Sequence, residues 1–353
     1  MIQRSANFDV LRLMASLMVL WSHQFAVTGM SERGLPWSGT SASTAASTWG
    51  GLGVLIFFAI SGYLNAQSLF RSRSASAFLL SRAARIFPAL AVCAGFCVLL
   101  GAAVTTRHMA DYLWPDIGLF GRDAPLSFLW RNSTLLFGLD FALPGVFESN
   151  TYPKAVNGSL WTLPYEVKLY LLLALVVACF RFDARVFAAI VVATLAGALL
   201  YGFVQPLGAA IAGKYLATFA VVFIGGAGLA MVEQAWGRVR AVVLFAVLAL
   251  GFGLSGDGAT ALLLAVPVVC VLLNQVAWPD RLAPKYDISY GVYLYAFPVQ
   301  QLTSNLSDSF WLRLAAVVVI VVALGILSAR LVEQPALRWR RSLGRTPVSR
   351  NVA

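Results

Sequence analysis

Long apolar runs separated by short polar breaks recur from one end of the chain to the other. Their length is the signal. A helix crossing a bilayer needs about 20 mostly apolar residues, because in hydrocarbon every backbone amide must find its partner within the segment. On that basis the sequence predicts helices near 8–29, 50–70, 86–104, 159–180, 186–204, 215–232, 241–254, 259–274, 287–303 and 311–332. The fold class that follows is all-α, a polytopic transmembrane bundle of about ten helices. No internal repeat at a fixed period stands out, so an inverted-repeat transporter gains no support.

Two segments depart from the alternation of helix and short loop. The stretch 105–158 is a long outer loop holding Trp114, Pro115, Trp130, Pro144 and Pro153. Loops of that length commonly form lids or binding surfaces. The stretch 71–86, RSRSASAFLLSRAARI, mixes arginines with Phe78, Leu79 and Leu80 and suits a helix lying on the inner membrane surface.

Composition narrows the class. The 353 residues are 59% hydrophobic and 12% charged, against about half and about a quarter in soluble domains, which excludes a water-soluble fold. Cys93, Cys97, Cys179 and Cys270 all lie in apolar runs, so neither a disulfide framework nor a metal site is expected. The net charge of +11 comes without a basic stripe of interleaved aromatics, so no nucleic-acid partner is expected. It reads instead as topology. Segments assigned to the inside collect Arg4, then Arg71, Arg73, Arg82 and Arg85, then Arg181 and Arg185, Arg238 and Arg240, Arg281 and Lys285, and the arginines from Arg330 to Arg350. The outside segments hold fewer: Arg33, Arg107, Arg122, Arg131, Lys154 and Lys214. That bias puts both termini in the cytoplasm. The first apolar stretch, interrupted by Asp9, Arg12 and His23, reads as a span and not as a cleaved leader.

Ionisable groups inside a membrane are expensive and therefore functional candidates: Arg12, His23, Glu166 and Lys168. Arg12 and His23, eleven residues apart, share a face of one helix, about 16 Å apart along its axis. A cation at the inner mouth and a base towards the outer one suit a group transfer across the membrane; the alternative is an arginine snorkelling to headgroups and a histidine bonded to a neighbouring helix. With an ordinary pKa of about 6.5, His23 can take a proton from a hydroxyl and return it to a leaving thiolate. Glu166 lies at similar depth and could orient the imidazole, or pair with Lys168 or Arg12. Arg82 and Arg85, one turn apart, can grip one anion together, or serve as positive-inside anchors.

With these residues placed, the chain resembles the membrane acyltransferases of acyltransferase family 3 from end to end. FDVLR at 8–12 followed by His23 is similar to the family's Arg, ten residues, His signature. GVLIFFAISGY at 53–63 resembles its second-helix motif, and RAARIFP at 82–88 its R-x-x-R. NGSLWTLPYE at 157–166, ISYGVYLYAFPV at 288–299 and EQP at 333–335 follow in the family's order. Departures are Leu55 where relatives often carry an acid, Val167 and Lys168 in place of Glu and Gln, and Ala296 where His is frequent. The last leaves His23 as the intramembrane histidine, the other histidine, His108, falling in the outer loop.

The resemblance implies an acyl-CoA-dependent O-acetyltransferase of the bacterial inner membrane, delivering acetyl from cytoplasmic acetyl-CoA to a hydroxyl of an exported glycan or its lipid-linked precursor. It implies His23 as general base or acyl relay, with Glu166 in support. It implies acyl-CoA contacts at Arg12, Arg82, Arg85, Ser61 and Tyr63, and acceptor contacts at Trp161 and Trp114. The expected partners are acyl-CoA, a carbohydrate or glycolipid acceptor and membrane lipids, with no metal. The expected domain is 1–338, followed by a basic cytoplasmic tail at 339–353 and no appended soluble domain. Readings from other classes are a transporter or flippase for a glycan or small anion, and a non-catalytic partner of a polysaccharide synthase.

Overall fold

The structure, a computed structural model, describes residues 6–116, 118–180, 183–201, 214–276, 278 and 286–343. Among these residues every regular element is helical. In chain order they are α1 (Ala6–Thr28), α2 (Trp49–Ser72), α3 (Ala75–Val104), α4 (Met109–Leu113), α5 (Pro125–Thr134), α6 (Leu163–Cys179), α7 (Ala184–Tyr201), α8 (Lys214–Trp236), α9 (Arg238–Leu254), α10 (Gly258–Leu273), α11 (Ser289–Leu302), α12 (Phe310–Ser328) and α13 (Gln334–Ser342). A helix stands at each place where an apolar run predicts one, with α4 and α5 folded out of the 105–158 loop and α13 beyond the last run. Among the described residues six helical stretches are long and apolar enough to cross a membrane: those containing α1, α2, α3, α6, α8 and α12. Of the shorter ones, α11 has 14 residues and is almost wholly buried. It rises only about 21 Å and needs protein, not lipid, around it. Arg4, Arg181, Arg281, Lys285, Arg345, Arg350, the positions 202–204 of the fifth expected helix and all of the tail past Leu343 lie outside the described residues.

The segment 71–86 is not a separate surface helix. Arg73 closes α2 in a left-handed conformation, the Ser74 hydroxyl accepts from the Ala77 amide at 3.3 Å, and α3 then runs unbroken for 30 residues. Phe78, facing the core at 1% exposure, anchors its first turn. Pro88 is carried inside the helix, where it lacks the amide that Ala84 would otherwise bond. Arg82 and Arg85 therefore sit inside the bundle and not on its surface.

At its other end the chain tightens differently. α12 passes through a π-helical turn, Ala329–Glu333, before α13 begins. The wider turn shifts the register and leaves Glu333 buried.

The bundle is centred on α2, which packs chiefly on α8 and α1; α1 in turn packs on α11 and α11 on α12, while α7, α9 and α10 cover α8. Lipid tails offer no hydrophobic drive for helix association, so close backbone approach supplies it through dispersion. Glycine permits that approach at each crossing: a Cβ at Gly53 would stand 2.6 Å from the Ala15 carbonyl oxygen, and one at Gly291 would stand 2.7 Å from the Gly325 Cα. Gly62 lies against the Phe223 backbone still more closely. Gly62→Val is therefore expected to destabilise the bundle by about 1–3 kcal/mol. The loss should be seen as a lowered thermal midpoint of the detergent-solubilised chain, with Gly95→Val, where the space is open, left near wild type.

Candidate active site

Two cavities occupy the middle of the bundle. The first, of about 820 Å³, is lined by Arg12 from α1, Ser61 from α2, Arg82 and Arg85 from α3, Glu166 and Tyr170 from α6, and Ser289, Tyr290 and Tyr293 from α11. The second, of about 1060 Å³, is lined by His23 and Ser22 from α1, Gly50 and Gly51 from the start of α2, Trp161, and Tyr215 and Phe219 from α8. Val54 and Tyr293 line both. Because Arg12 and His23 face different chambers from the same helix, the cavities lie in series along α1.

The first cavity is held together by ions. Asp287, immediately ahead of α11, receives Arg85 Nη2 at 2.5 Å and Arg12 Nη1 at 3.4 Å on Oδ2. Its Oδ1 accepts from the Ser289 hydroxyl at 2.5 Å and the Ser289 amide at 3.1 Å. Arg85 Nη1 reaches Glu333 Oε2 at 3.3 Å, and Ser328 donates to Glu333 Oε1 at 3.2 Å. Arg12 also lies 3.8 Å from Asp9. Two of the three arginines are thus neutralised by carboxylates. Arg82 has none within ion-pair distance among the described residues; it rests over the Phe78 ring at 5.8 Å, and its buried Nε has no hydrogen-bond partner.

Glu166 belongs to this chamber as well. It accepts from Ser61 Oγ at 3.3 Å and from the Tyr170 hydroxyl, a short bond one helical turn along α6. Ser61 also meets Tyr170 Oη at 2.9 Å and accepts from Asn65 at 2.9 Å.

In the second cavity His23 Nδ1 lies 3.4 Å from Ser159 Oγ, and the ring stands edge-on to Phe297 at 5.2 Å between centroids. Ser159 is fixed by its position in a 3-10 turn, Gly158–Thr162, which Asn157 caps with a bond from the Ser159 amide at 3.2 Å. Between the chambers, the Tyr293 hydroxyl donates to the Ser159 carbonyl at 2.6 Å and meets Thr162 Oγ1 at 2.5 Å. That bond ties the dividing wall to the residue that holds His23.

The structure brings Arg12, Arg82, Arg85 and Ser61 together, and places His23 and Trp161 in the adjoining chamber. Three expected site residues lie elsewhere. Glu166 does not back His23: its partners are Ser61 and Tyr170, because the 3-10 turn before α6 aims Ser159, not Glu166, at the imidazole. Tyr63 is 5% exposed and donates to Glu233 at 2.7 Å, two residues from Ser61 and so on the opposite face of α2, and does not line the first cavity. Trp114 is 66% exposed and lines neither chamber. Lys168 is exposed, its ammonium over the Tyr165 ring at 5.5 Å, and pairs with neither Glu166 nor Arg12. Sequence reasoning missed Ser159, Tyr170, Tyr293, Asp287 and Glu333. Ser159, Tyr293 and Glu333 stand in the very motifs that carry the family likeness, and Tyr170 follows Glu166 at helical spacing; Asp287 had no signal beyond being an acid at the head of an apolar run.

A multi-pass helical membrane protein with a cation-lined chamber and a histidine-lined one is the class this geometry defines. The sequence profile of the acyltransferase domain, acyltransferase family 3, matches residues 5–330, and the chain belongs to that family. It is 31% identical over 340 residues to the O-acetyl transferase of Shigella phage Sf6, covering 94% of this chain and 96% of that one. It is 28% identical over 367 residues to nodulation protein 10 of Rhizobium leguminosarum bv. viciae, covering 96% and 94%. No solved structure matches it.

Removing one partner from a buried ion network leaves an uncompensated charge and costs about 3–5 kcal/mol. Asp287→Asn is therefore expected to lower the thermal midpoint sharply. Arg82→Gln, which removes a cation with no carboxylate partner, should leave the midpoint close to wild type in the same scan.

Proposed function

We propose that this chain is an O-acyltransferase of a bacterial inner membrane, moving an acetyl group from cytoplasmic acetyl-CoA to a hydroxyl of an exported glycan. The observation that carries the reading is the pair of chambers in series, arginines in one and His23 in the other, with Val54 and Tyr293 shared by both walls. A thioester whose phosphates stay among arginines while its acyl end crosses one side-chain layer would meet a histidine there.

The arginines divide the work. Arg12 and Arg85 are tied to Asp287 and Glu333 and form a fixed, charge-balanced wall, while Arg82 keeps its charge for an incoming anion. A guanidinium binds phosphate through paired, directional hydrogen bonds. Ser61, Tyr170 and Glu166 add a polar side to the same chamber, suited to the amides of the pantetheine arm.

With Nδ1 at Ser159, Nε2 is the imidazole nitrogen left to meet the acceptor. The acceptor hydroxyl gives its proton to Nε2 as its oxygen attacks the thioester carbonyl; the carbon–sulfur bond then breaks, and the thiolate leaves with the proton from His23. General base catalysis of this kind contributes about 100- to 10,000-fold.

The test is transfer of labelled acetyl from acetyl-CoA to glycan in inverted membrane vesicles. His23→Ala is expected to reduce transfer by about 100- to 10,000-fold with acetyl-CoA binding retained. Arg82→Gln is expected to raise the KM for acetyl-CoA by about 10- to 100-fold, the loss of a hydrogen bond to a charged partner. Undiminished transfer by the His23 variant would overturn the assignment.

A further inference from the structure

A third cavity, of about 770 Å³, is walled partly by Gly158 and Trp161 of the 157–166 motif and otherwise by residues of 141–155, which lie outside the family signatures. Phe141, Tyr152, Lys154, Gly158 and Trp161 form its walls. We infer that this groove is a saccharide subsite that holds the acceptor beside the reacting hydroxyl; the inference rests on the acyl-transfer reading above.

Continuity with the histidine chamber is the first ground. Trp161 lines both. Tyr152 meets Phe297 edge-on at 5.7 Å between centroids, and Phe297 is the ring that meets His23. Gly158 is pressed on that same ring, where a Cβ would come within 2.8 Å.

Rigidity is the second. The Val156 amide donates to the Phe141 carbonyl at 2.6 Å, closing one wall of the groove on the other. Gln301 of α11 donates to the carbonyls of Tyr152 and Ala155, each at 2.7 Å, and Asn150 donates to Gln301 at 3.0 Å. A groove whose backbone is held in place costs little ordering entropy on binding.

Chemistry names the occupant. Phe141 and Tyr152 are 39% and 43% exposed, and in an open groove their faces remain available. Sugar rings offer such faces an apolar layer of C–H groups, with hydroxyls at the rim. Lys154, exposed and held at positive φ by its amide bond to the Phe147 carbonyl, has no carboxylate at ion-pair distance among the described residues. It suits an acidic substituent on the glycan.

The experiment follows both substrates, using the membrane polysaccharide and glycolipid fraction of the producing cell as acceptor and labelled acetyl-CoA as donor. Tyr152→Ala and Phe141→Ala should each raise the half-saturating acceptor concentration about tenfold, with the KM for acetyl-CoA unchanged and Tyr152→Phe near wild type. Wild-type transfer matched by both alanine variants, or a fall in kcat with both KM values unchanged, would overturn the groove alone. Failure of the wild-type chain to label the fraction would instead overturn the acyl-transfer reading, and the groove with it.

Discussion

Burying charge in a bundle that crosses a membrane is the constraint on which the rest of this structure depends. A lone guanidinium in hydrocarbon is so costly that it must be paired, hydrated or drawn to the headgroups. Here Asp287 answers two arginines at once and Glu333 takes up the remaining face of Arg85. Those contacts join α1, α3, the entry to α11 and the π turn after α12. Three of the elements that line the first chamber, α1, α3 and α11, are thereby set by ion pairs and not only by fit. The π turn has a clear reason in this light: one residue more per turn brings Glu333 inwards, where it is 1% exposed.

The network also separates structural charge from available charge. Among three arginines in one chamber, a purely structural arrangement would balance all three. Arg82 has instead a ring beneath it and an unbonded Nε. An unpartnered buried polar group is destabilising on its own, so its retention fits a ligand better than it fits packing. The same logic separates the carboxylates. Asp287 and Glu333 are spent on arginines, while Glu166 is held by hydroxyls from Ser61 and Tyr170 and stays inside the arginine-lined chamber.

Much of this was legible in the sequence, because the lipid environment makes helix placement a matter of run length. Where the reading went astray, the cause is local. The segment 71–86 reads as a surface helix by its arginines, yet Pro88 at its junction with the run that follows is carried inside the helix, and a single serine cap starts both as one helix. Glu166 sits at the depth expected for a partner of His23, but depth does not fix azimuth. The 3-10 turn ahead of α6, which no hydrophobic period reveals, delivers Ser159 to His23 and turns Glu166 towards Ser61. Arg12 and His23, by contrast, were recoverable because both lie on one uninterrupted helix, where eleven residues return to nearly the same face.

The dividing wall is thin in a way that bears on mechanism. Tyr293 and Val54 face both chambers, and the Tyr293 hydroxyl is bonded to Thr162 and to the backbone of Ser159. Movement of the Tyr293 side chain out of the wall would therefore loosen the turn that carries Ser159, the partner of His23. The wall between the chambers and the orientation of His23 are thus coupled through one residue.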